Sequence, residues 1–366
     1  MLKIKIGEVC DVYDGPHATP KKIDKGPVYL GIDAITDNGK LNPSGYNYLS
    51  EEDYKIWTKR VTPQYGDLVF SYEATLGRDA LIPKDFYGCL GRRLAVVRPK
   101  DERINIKWLY YYFLSPEWSV YIANNTVKGS TVNRISIEDF PNFYIPLLER
   151  TEQDKIVKVL SAIDEKIDNN VNINDNLQSQ LRLIYENMIA KANSNQIKGN
   201  FVTVKEMADI TTGKEDANFS TVNGKYKFFT CSNVPLQCDE YAFESSSILI
   251  AGNGDFNVKY YSGKFNAYQR TYVLTASSEY YAILYLACLY QVNLFKSNSS
   301  GSIVKFITKS DVENIPLFIP DDISLLQKLN NLLHFQEQNI LENDKLIQLR
   351  DFLLPMLMNG QATIDN

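Results

Sequence analysis

The stretch TEQDKIVKVLSAIDEKIDNNVNINDNLQSQLRLIYENMI, from Thr151 to Ile189, contains no glycine and no proline, although the sequence on either side is dense in turn formers and aromatics. Stepping alternately by four and three from Ile156 gives Leu160, Ile163, Ile167, Asn170, Asn174, Leu177, Leu181, Ile184 and Met188. Eight of these ten positions are apolar, the period of a helix that pairs with another helix. Thr151 with Asp154 reads as the N-terminal cap. At ~1.5 Å per residue the helix would run about 55–60 Å. Alone, it would leave its apolar stripe in water.

A weaker copy returns near the end of the chain, with a seam of Leu329, Leu333, Gln336, Ile340, Asn343 and Ile347 that slips toward Leu349, Leu353 and Met356. Ser324 to Gln327 reads as a capping box and Asn359-Gly360 as a stop signal. The natural partner of the first helix is this second one. Asn170, Asn174 and Asn343 fall at seam positions, where an asparagine needs a partner and fixes register. A helix end exposed at that point is the alternative.

The chain also repeats itself ahead of each helix. IGEVCDVYDG (6–15) is answered by VKEMADITTG (204–213), an offset of 198. GSTVNRISIEDFPNFYIP (129–146) is answered by GSIVKFITKSDVENIPLFIP (301–320), where Gly129 faces Gly301 at an offset of 172. The fall in offset from 198 to 172 makes the second globular part 26 residues shorter, and Asn170 and Asn343 continue the repeat at an offset of 173. Runs such as GPVYLGI, GDLVFSY, RLAVVRP, SSILIAGNG and RTYVLTA read as strands. NIKWLYYYFLSPEWSVYIA and SEYYAILYLACLYQVNLFK read as one helical stretch per unit. The expected fold is α+β, two mixed α/β domains separated by a pair of long antiparallel coiled-coil helices, with a pseudo-two-fold internal repeat. The expected boundaries are 1–148 and 200–320 for the globular domains, 149–199 for the central helix and linker, and 321–366 for the distal helix.

Composition excludes several classes. The chain of 366 residues is 44% hydrophobic and 23% charged, values of a globular protein that buries real cores. Five scattered cysteines without a CxxC pair, and two histidines, argue against a disulfide framework or a zinc site. No signal-peptide core or membrane-length run is present, which points to the cytoplasm and no membrane. The net charge of −5 is unevenly spread: residues 76–100 hold six basic and two acidic residues, and residues 321–366 three basic and seven acidic. A polyanion would meet the globular parts, although chance clustering on solvated faces reads equally well. Gly252 and Gly254 in ILIAGNGD lack the third glycine and following helix of a nucleotide loop, and read as a turn. No catalytic motif is present, and Asp164 and Glu165 in AIDEKI read as solvated flanks of the helix.

RISIEDFPNFYIPLLERTEQDKIVKVLSAIDEKI (134–167) and LIQLRDFLLPMLMNGQ (346–361) closely resemble the specificity subunit of type I restriction–modification enzymes, as do DGPHATPK (14–21), YGDLVFS (65–71) and KGSTVNRIS (128–136). The resemblance covers essentially the whole chain, and 134–167 is its specific part. It implies two target-recognition domains at opposite ends of the helix pair, each reading half of a bipartite, asymmetric site in double-stranded DNA. It also implies two modification subunits docked along the helices, and restriction/translocase subunits. S-adenosylmethionine, ATP and Mg²⁺ would belong to those partners, leaving this chain without cofactor, metal or catalytic residue. Two departures stand out. Leu148-Glu149-Arg150 fills the place of the family's second proline, and Leu326 stands where the first copy has Glu152, only Gln327 being kept.

DNA contact calls for Arg and Lys with Ser/Thr near phosphates, and for Arg, Asn, Gln or aromatic side chains at base edges. On that chemistry the candidates in the first domain are His17, Thr19, Lys21, Arg78, Arg92, Arg93, Lys128, Ser130 and Thr131. In the second they are Asn253, Lys259, Lys264, Gln269, Arg270, Ser300 and Lys305. Each could equally be an ordinary surface residue. A scaffold that assembles protein partners without touching DNA is the competing reading, favoured by the overall acidity. A nuclease or methyltransferase fused into one chain is a third, opposed by the missing motifs.

Overall fold

The computed structural model describes residues 2–128, 132–254, 256–298 (side chains to 294) and 306–364, and lays out one α+β arrangement twice. In chain order the first copy comprises β1 (Lys3–Lys5), α1 (Ile6–Val9), β2 (Cys10–Asp14), β3 (Ile23–Leu30), β4 (Asn47–Tyr48), α2 (Glu51–Trp57) and β5 (Leu68–Ser71). It continues through β6 (Asp79–Leu81), β7 (Gly88–Leu90), β8 (Leu94–Pro99), α3 (Ile106–Phe113), α4 (Pro116–Asn124), β9 (Tyr144–Pro146) and the long α5 (Arg150–Asn193). The second comprises β10 (Gly199–Thr203), α6 (Val204–Met207), β11 (Asp209–Thr212), β12 (Tyr226–Phe229), β13 (Leu236–Cys238) and β14 (Phe243–Ala251). After these come β15 (Val258–Ala267), β16 (Thr271–Thr275), α7 (Tyr281–Asn298), α8 (Lys309–Glu313), β17 (Pro316–Pro320) and α9 (Ile323–Met358).

The repeat is physical and not only a pattern of letters. β1 pairs antiparallel with β9, and β10 with β17, so each copy ties its first strand to the one just before its long helix. Both single-turn helices are closed by the same glutamate: Lys5 N donates to Glu8 Oε1 at 3.2 Å, and Thr203 N to Glu206 Oε2 at 2.7 Å. The second sheet runs β11-β16-β14-β15-β12-β13. The first has the same order broken in two, β2-β8-β5-β6 and β7-β3-β4. One strand, β15, pairs antiparallel with β14 and parallel with β12; in the first copy β6 and β7 divide those tasks. Between them Pro83 offers no N–H to a ladder and Asp85 has φ +64°, so the strand stops. β15 carries Gly263 at φ +139° instead and continues.

The expected strand runs correspond to β3, β5, β8, β14 and β16, and the second aromatic stretch is the single helix α7. The first aromatic stretch is two helices. Pro116 opens α4, and Ser115 Oγ accepts from Trp118 N at 3.2 Å, ending α3 one turn earlier than a continuous reading requires. The extra length of the first copy includes α2, which has no counterpart between β13 and β14.

Two compact units result, residues 1–167 with 345–366 and residues 168–344, so each long helix contributes to both. In the first unit Ile156, Leu160, Leu354, Leu357 and Met358 share one core with Trp108, Phe113 and Phe140. Lys155 Nζ donates to the Ile364 carbonyl at 3.3 Å and Arg350 Nη1 to Asp164 Oδ1 at 3.1 Å, so the helices run antiparallel there. In the second unit Leu181, Leu329 and Leu333 pack with Leu284 and Leu286 of α7. Ile163, Ile167 and Leu177 are buried as well.

The seam asparagines of the second unit find partners. Asn170, only 1% exposed, donates through Nδ2 to Asn343 Oδ1 at 2.9 Å and to Glu342 Oε2 at 2.7 Å. Asn174 Nδ2 donates to the Gln336 carbonyl at 3.3 Å, Gln336 Nε2 to the Asn174 carbonyl at 2.7 Å, and Asn339 Nδ2 to Asn174 Oδ1 at 2.8 Å. This polar exchange takes the interhelical place and turns Ile340 out of it. Ile340 is 40% exposed and lines a cleft with Tyr260, Tyr261 and Leu341. Ile347 and Leu349 are exposed too; Leu354, Leu357 and Met358 are buried where the sequence suggested Leu353 and Met356.

Neither helix start is capped as its sequence suggests. α5 already begins at Arg150, and the Asp154 carboxylate accepts from Arg150 Nε at 2.8 Å and Asn105 Nδ2 at 2.7 Å. At the start of α9 it is Asp322 Oδ1 that accepts from Ser324 N, at 2.9 Å. Gln153 is fully buried; it accepts from Asn105 N at 2.8 Å and donates to the Arg103 carbonyl at 2.8 Å, fastening the start of α3 to α5. In the second copy Leu326 is buried and Gln327 exposed, so Gln327 has no such part. Asn330 supplies it: Oδ1 accepts from Ala282 N at 2.9 Å and Nδ2 donates to the Glu279 carbonyl at 2.6 Å.

Leu160→Asp would bury a carboxylate without a partner and should destabilise the first unit by more than about 3 kcal/mol. Ile340→Asp, at a half-open position, should cost less than about 1 kcal/mol. Thermal melting of the two variants checks the assignment; equal losses would contradict it.

Candidate nucleic-acid interface

Two glycines anchor the first loop of each sheet. Gly15 N donates to the Leu94 carbonyl at 2.9 Å, and a Cβ at Gly15 would lie 2.4 Å from the Gly91 carbonyl oxygen. Gly213 N donates to the Thr271 carbonyl at 3.1 Å, and its Cβ would lie 2.0 Å from the Ala267 oxygen. Only glycine lets the two loops approach this closely. A second bond recurs: Tyr72 N donates to the Arg93 carbonyl at 3.1 Å and Gly252 N to the Arg270 carbonyl at 2.8 Å. These bonds set the copies in residue-by-residue register, with Leu94 opposite Thr271, Arg93 opposite Arg270 and Arg92 opposite Gln269. Glu73 stands opposite Asn253.

In the first unit the loops after β2, β5 and β7 meet Val127, Arg134 and Ile135. Glu73 and Val127 each bridge to Arg134, and Ile135 N donates to the Tyr72 carbonyl at 2.8 Å. Two clefts open there. One, of about 340 Å³, is lined by Thr19, Lys22, Arg92 and Arg93 among others; the second, of about 620 Å³, by His17, Arg60, Glu73 and Arg134. Asp14 binds both His17 Nε2 at 2.9 Å and Arg60 Nη1 at 2.6 Å. Arg93 Nε lies 3.2 Å from Glu73 Oε1. Tyr72, whose phenol burial pushes up to about 12, donates to the Arg92 carbonyl at 2.6 Å and fixes that turn. The Arg92 side chain is exposed, as are Lys21 and Lys128. Arg78 shares the β5–β6 loop, but its Nε donates to Asp37 Oδ1 at 2.9 Å.

In the second unit the corresponding loops carry Asn253, Gln269 and Arg270. Gln269 Nε2 donates to Asp216 Oδ1 at 2.7 Å, Asn253 is half-buried and Arg270 exposed. Lys259 is not a free cation. Its Nζ donates to the Thr230 carbonyl at 3.2 Å and to Asn257 Oδ1, and burial lowers its pKa to about 8. Lys264 stands apart from the cluster, 4.6 Å over the Tyr241 ring and 3.7 Å from Glu244. Ser130, Thr131, Ser300 and Lys305 lie outside the described residues. Sequence reasoning passed over Lys22, Arg60 and Arg134. The first adjoins Lys21 and the last lies within KGSTVNRIS, so both were within reach; nothing local marks Arg60, which meets Asp14 across 46 residues.

The first unit thus presents arginine, lysine and hydroxyl groups around its loop cluster and the second arginine and amide groups, the chemistry that reads base edges and holds phosphates. Among the described residues no group of three or more His, Cys, Asp or Glu is placed to hold a metal ion. No helix of the described residues is long and apolar enough to cross a membrane.

The model of the type I restriction modification DNA specificity domain matches residues 2–179 and again 196–349. The chain belongs to this family. Its part in such a system is DNA specificity and not catalysis, so the scaffold reading gives way. The chain is 35% identical over 169 residues to the type I restriction enzyme EcoDI specificity subunit of Escherichia coli, covering 44% of this chain and 38% of that protein. It is 22% identical over 364 residues to the MjaIX specificity subunit of Methanocaldococcus jannaschii, covering 88% and 83%. Its fold is similar to the crystal structure of a type I restriction-modification system S subunit from M. genitalium, with a TM-score of 0.61, 19% identity and coverage of 98% and 96%.

Asp79, the first residue of β6 below the 72–78 loop, carries an Oδ2 with no hydrogen-bond partner, and burial pushes its carboxyl from 3.8 up to about 8. Its stabilising neutral form is complete below about pH 4 and is lost as pH rises through about 8. The same ladder place in the second copy holds Val258. Asp79→Val should therefore raise the melting temperature of the first unit at pH 8 and lose most of that advantage at pH 4. A gain independent of pH would show that the carboxyl is not the cause.

Proposed function

We propose that residues 1–148 and 200–320 are two readers, each taking one half of a bipartite, asymmetric target in double-stranded DNA through its loop cluster. The long helices in 149–199 and 321–366 fix the separation of the half-sites and present the docking surface for two modification subunits, which restriction/translocase subunits join. Those partners bring S-adenosylmethionine, ATP and Mg²⁺ in the cytoplasm, and any target base leaves the duplex for a partner's pocket.

One observation carries this reading: the two loop clusters share a backbone frame and differ in side chains. Arg92-Arg93 in the first stands where Gln269-Arg270 stands in the second, and Glu73 where Asn253 stands, on the same main-chain hydrogen bonds. Different donors and acceptors on one frame select different base edges, so the half-sites should differ in sequence.

Methylome sequencing of a host that supplies the modification subunits tests it. Exchanging residues 200–320 for another reader should change one half-site and leave the other. Removing one heptad from each long helix, about 10 Å at ~1.5 Å per residue, should shorten the unread spacer by about three base pairs at ~3.4 Å each. A continuous palindromic target, or both half-sites changing together, would refute the two-reader model.

A further inference from the structure

Resting on that reading, we infer that Arg93 and Arg270 are equivalent base-reading arginines, one per reader, and that the residue one past the ladder partner, Glu73 or Asn253, determines how each is presented. The equivalence comes from the main chain. The Arg93 carbonyl accepts from Tyr72 N at 3.1 Å and the Arg270 carbonyl from Gly252 N at 2.8 Å, and the next residue in each case accepts from the anchoring glycine. Each arginine therefore leaves the frame at the same point of the same loop, opposite Tyr72 or Gly252, with Glu73 or Asn253 one position beyond.

The side chains then part company. Arg93 and Glu73 are each about one-third exposed, 33% and 31%, with Nε and Oε1 3.2 Å apart. Nε is itself buried without a hydrogen-bond partner, so Glu73 holds the group by charge alone and the terminal guanidinium nitrogens are the free edge. That edge matches the O6/N7 pair of a guanine in the major groove. The position is suited to it, because Arg93 lines one cleft and Glu73 the adjoining one, so the pair stands on the wall between them. In the second reader an amide replaces the carboxylate, and Arg270 has no ion-pair partner among the described residues. Its charge is not offset at that place, and its orientation is set when it meets DNA. Gln269, the counterpart of Arg92, is meanwhile held by Asp216 at 2.7 Å. The first reader thus offers a pre-aimed arginine and the second an adaptable one.

The test uses the full chain assembled with its modification subunits and selection from DNA randomised in both half-sites at fixed spacer. Arg93→Ala should relax one base position in one half-site by about 5- to 150-fold, the range of a bidentate arginine–guanine contact. Arg270→Ala should relax one position in the other half-site. Arg93→Lys separates reading from charge: it should lose the same base preference while keeping overall affinity, since lysine replaces a phosphate contact but not a bidentate fork. Glu73→Asn should weaken discrimination at the position that Arg93→Ala relaxes and at no other. All four residues are at least partly solvent-exposed, and unchanged melting confirms intact folding. If Arg93→Ala weakens every sequence equally and Arg93→Lys restores binding, Arg93 holds a phosphate and the inference fails while the two-reader function stands. If Glu73→Asn moves a different position or none, the pairing is refuted. A parent complex with no sequence preference would instead overturn the proposed function itself.

Discussion

A helix of 44 residues cannot stand alone in water with an apolar stripe along it, and every other part of this structure answers that constraint. In each unit one stretch of α5 is covered from one side by an antiparallel stretch of α9 and from another by the aromatic helix, α3 or α7. The cover is keyed by polar groups as well as apolar ones. Tyr111 donates to Asp164 Oδ2 at 2.7 Å in the first unit, and Tyr281 donates to Glu337 Oε1 at 3.2 Å in the second. Asp164 and Glu337 are 173 residues apart, the spacing of Asn170 and Asn343. The carboxylates are at corresponding places of the two long helices while the tyrosines are not, Tyr111 being the sixth residue of α3 and Tyr281 the first of α7, and burial with the neighbouring carboxylate raises both phenols' pKa.

The amides show why apolar packing is not the whole of it. A stripe of leucines alone specifies pairing but not register, whereas a buried amide is satisfied only at one alignment. Asn170 meets Asn343, and Asn174 exchanges hydrogen bonds with Gln336 and Asn339. Gln153 and Asn330 do the corresponding work sideways, each accepting from a main-chain N–H at the start of an aromatic helix. They stand at non-equivalent positions of the two copies, so what was retained is the linkage and not the residue. This explains why Gln327, the apparent counterpart in the sequence, has no such role.

What could be read in advance follows from how local each cause is. The long helices, the five strand runs and the internal repeat depend on periodicity and on glycine and proline, and all are visible along the chain. The seam through Leu160, Leu181, Leu329 and Leu333 is of the same kind. Ile340 was misplaced because its orientation is decided by Asn174, which is distant in sequence and prefers the amides at 336 and 339. The break before α4 was available in Ser115-Pro116 and was passed over for the aromatic run around it. The cap of α9 was displaced by two residues because Asp322 competes with Ser324 for the same orphan N–H groups. Of the described candidate DNA contacts, His17, Thr19, Arg92 and Arg93 line adjoining clefts in the first unit, and Gln269 and Arg270 share one loop in the second. Lys259 and Lys264 belong to neither group, because a lysine in a strand is as often consumed by a nearby carbonyl or carboxylate as it is offered to solvent.

That division bears on how such a protein can change its target. The hydrogen bonds common to both loop clusters come from main-chain groups of Gly15, Tyr72, Arg93 and their counterparts, whereas side-chain ties such as His17 to Asp14 and Gln269 to Asp216 differ between them. Glycines are confined to the close approaches of this frame: a Cβ at Gly15, Gly91, Gly213 or Gly252 would lie under 3.0 Å from a main-chain oxygen. Stability and recognition therefore draw on different atoms of the same residues. Arg93 serves the fold through its carbonyl and, in the proposed reading, DNA through its guanidinium; Arg270 does the same on a loop whose other residues differ. A scaffold arranged in this way can exchange its reading surface without renegotiating its core, and two copies in one chain can diverge in what they read while remaining the same fold.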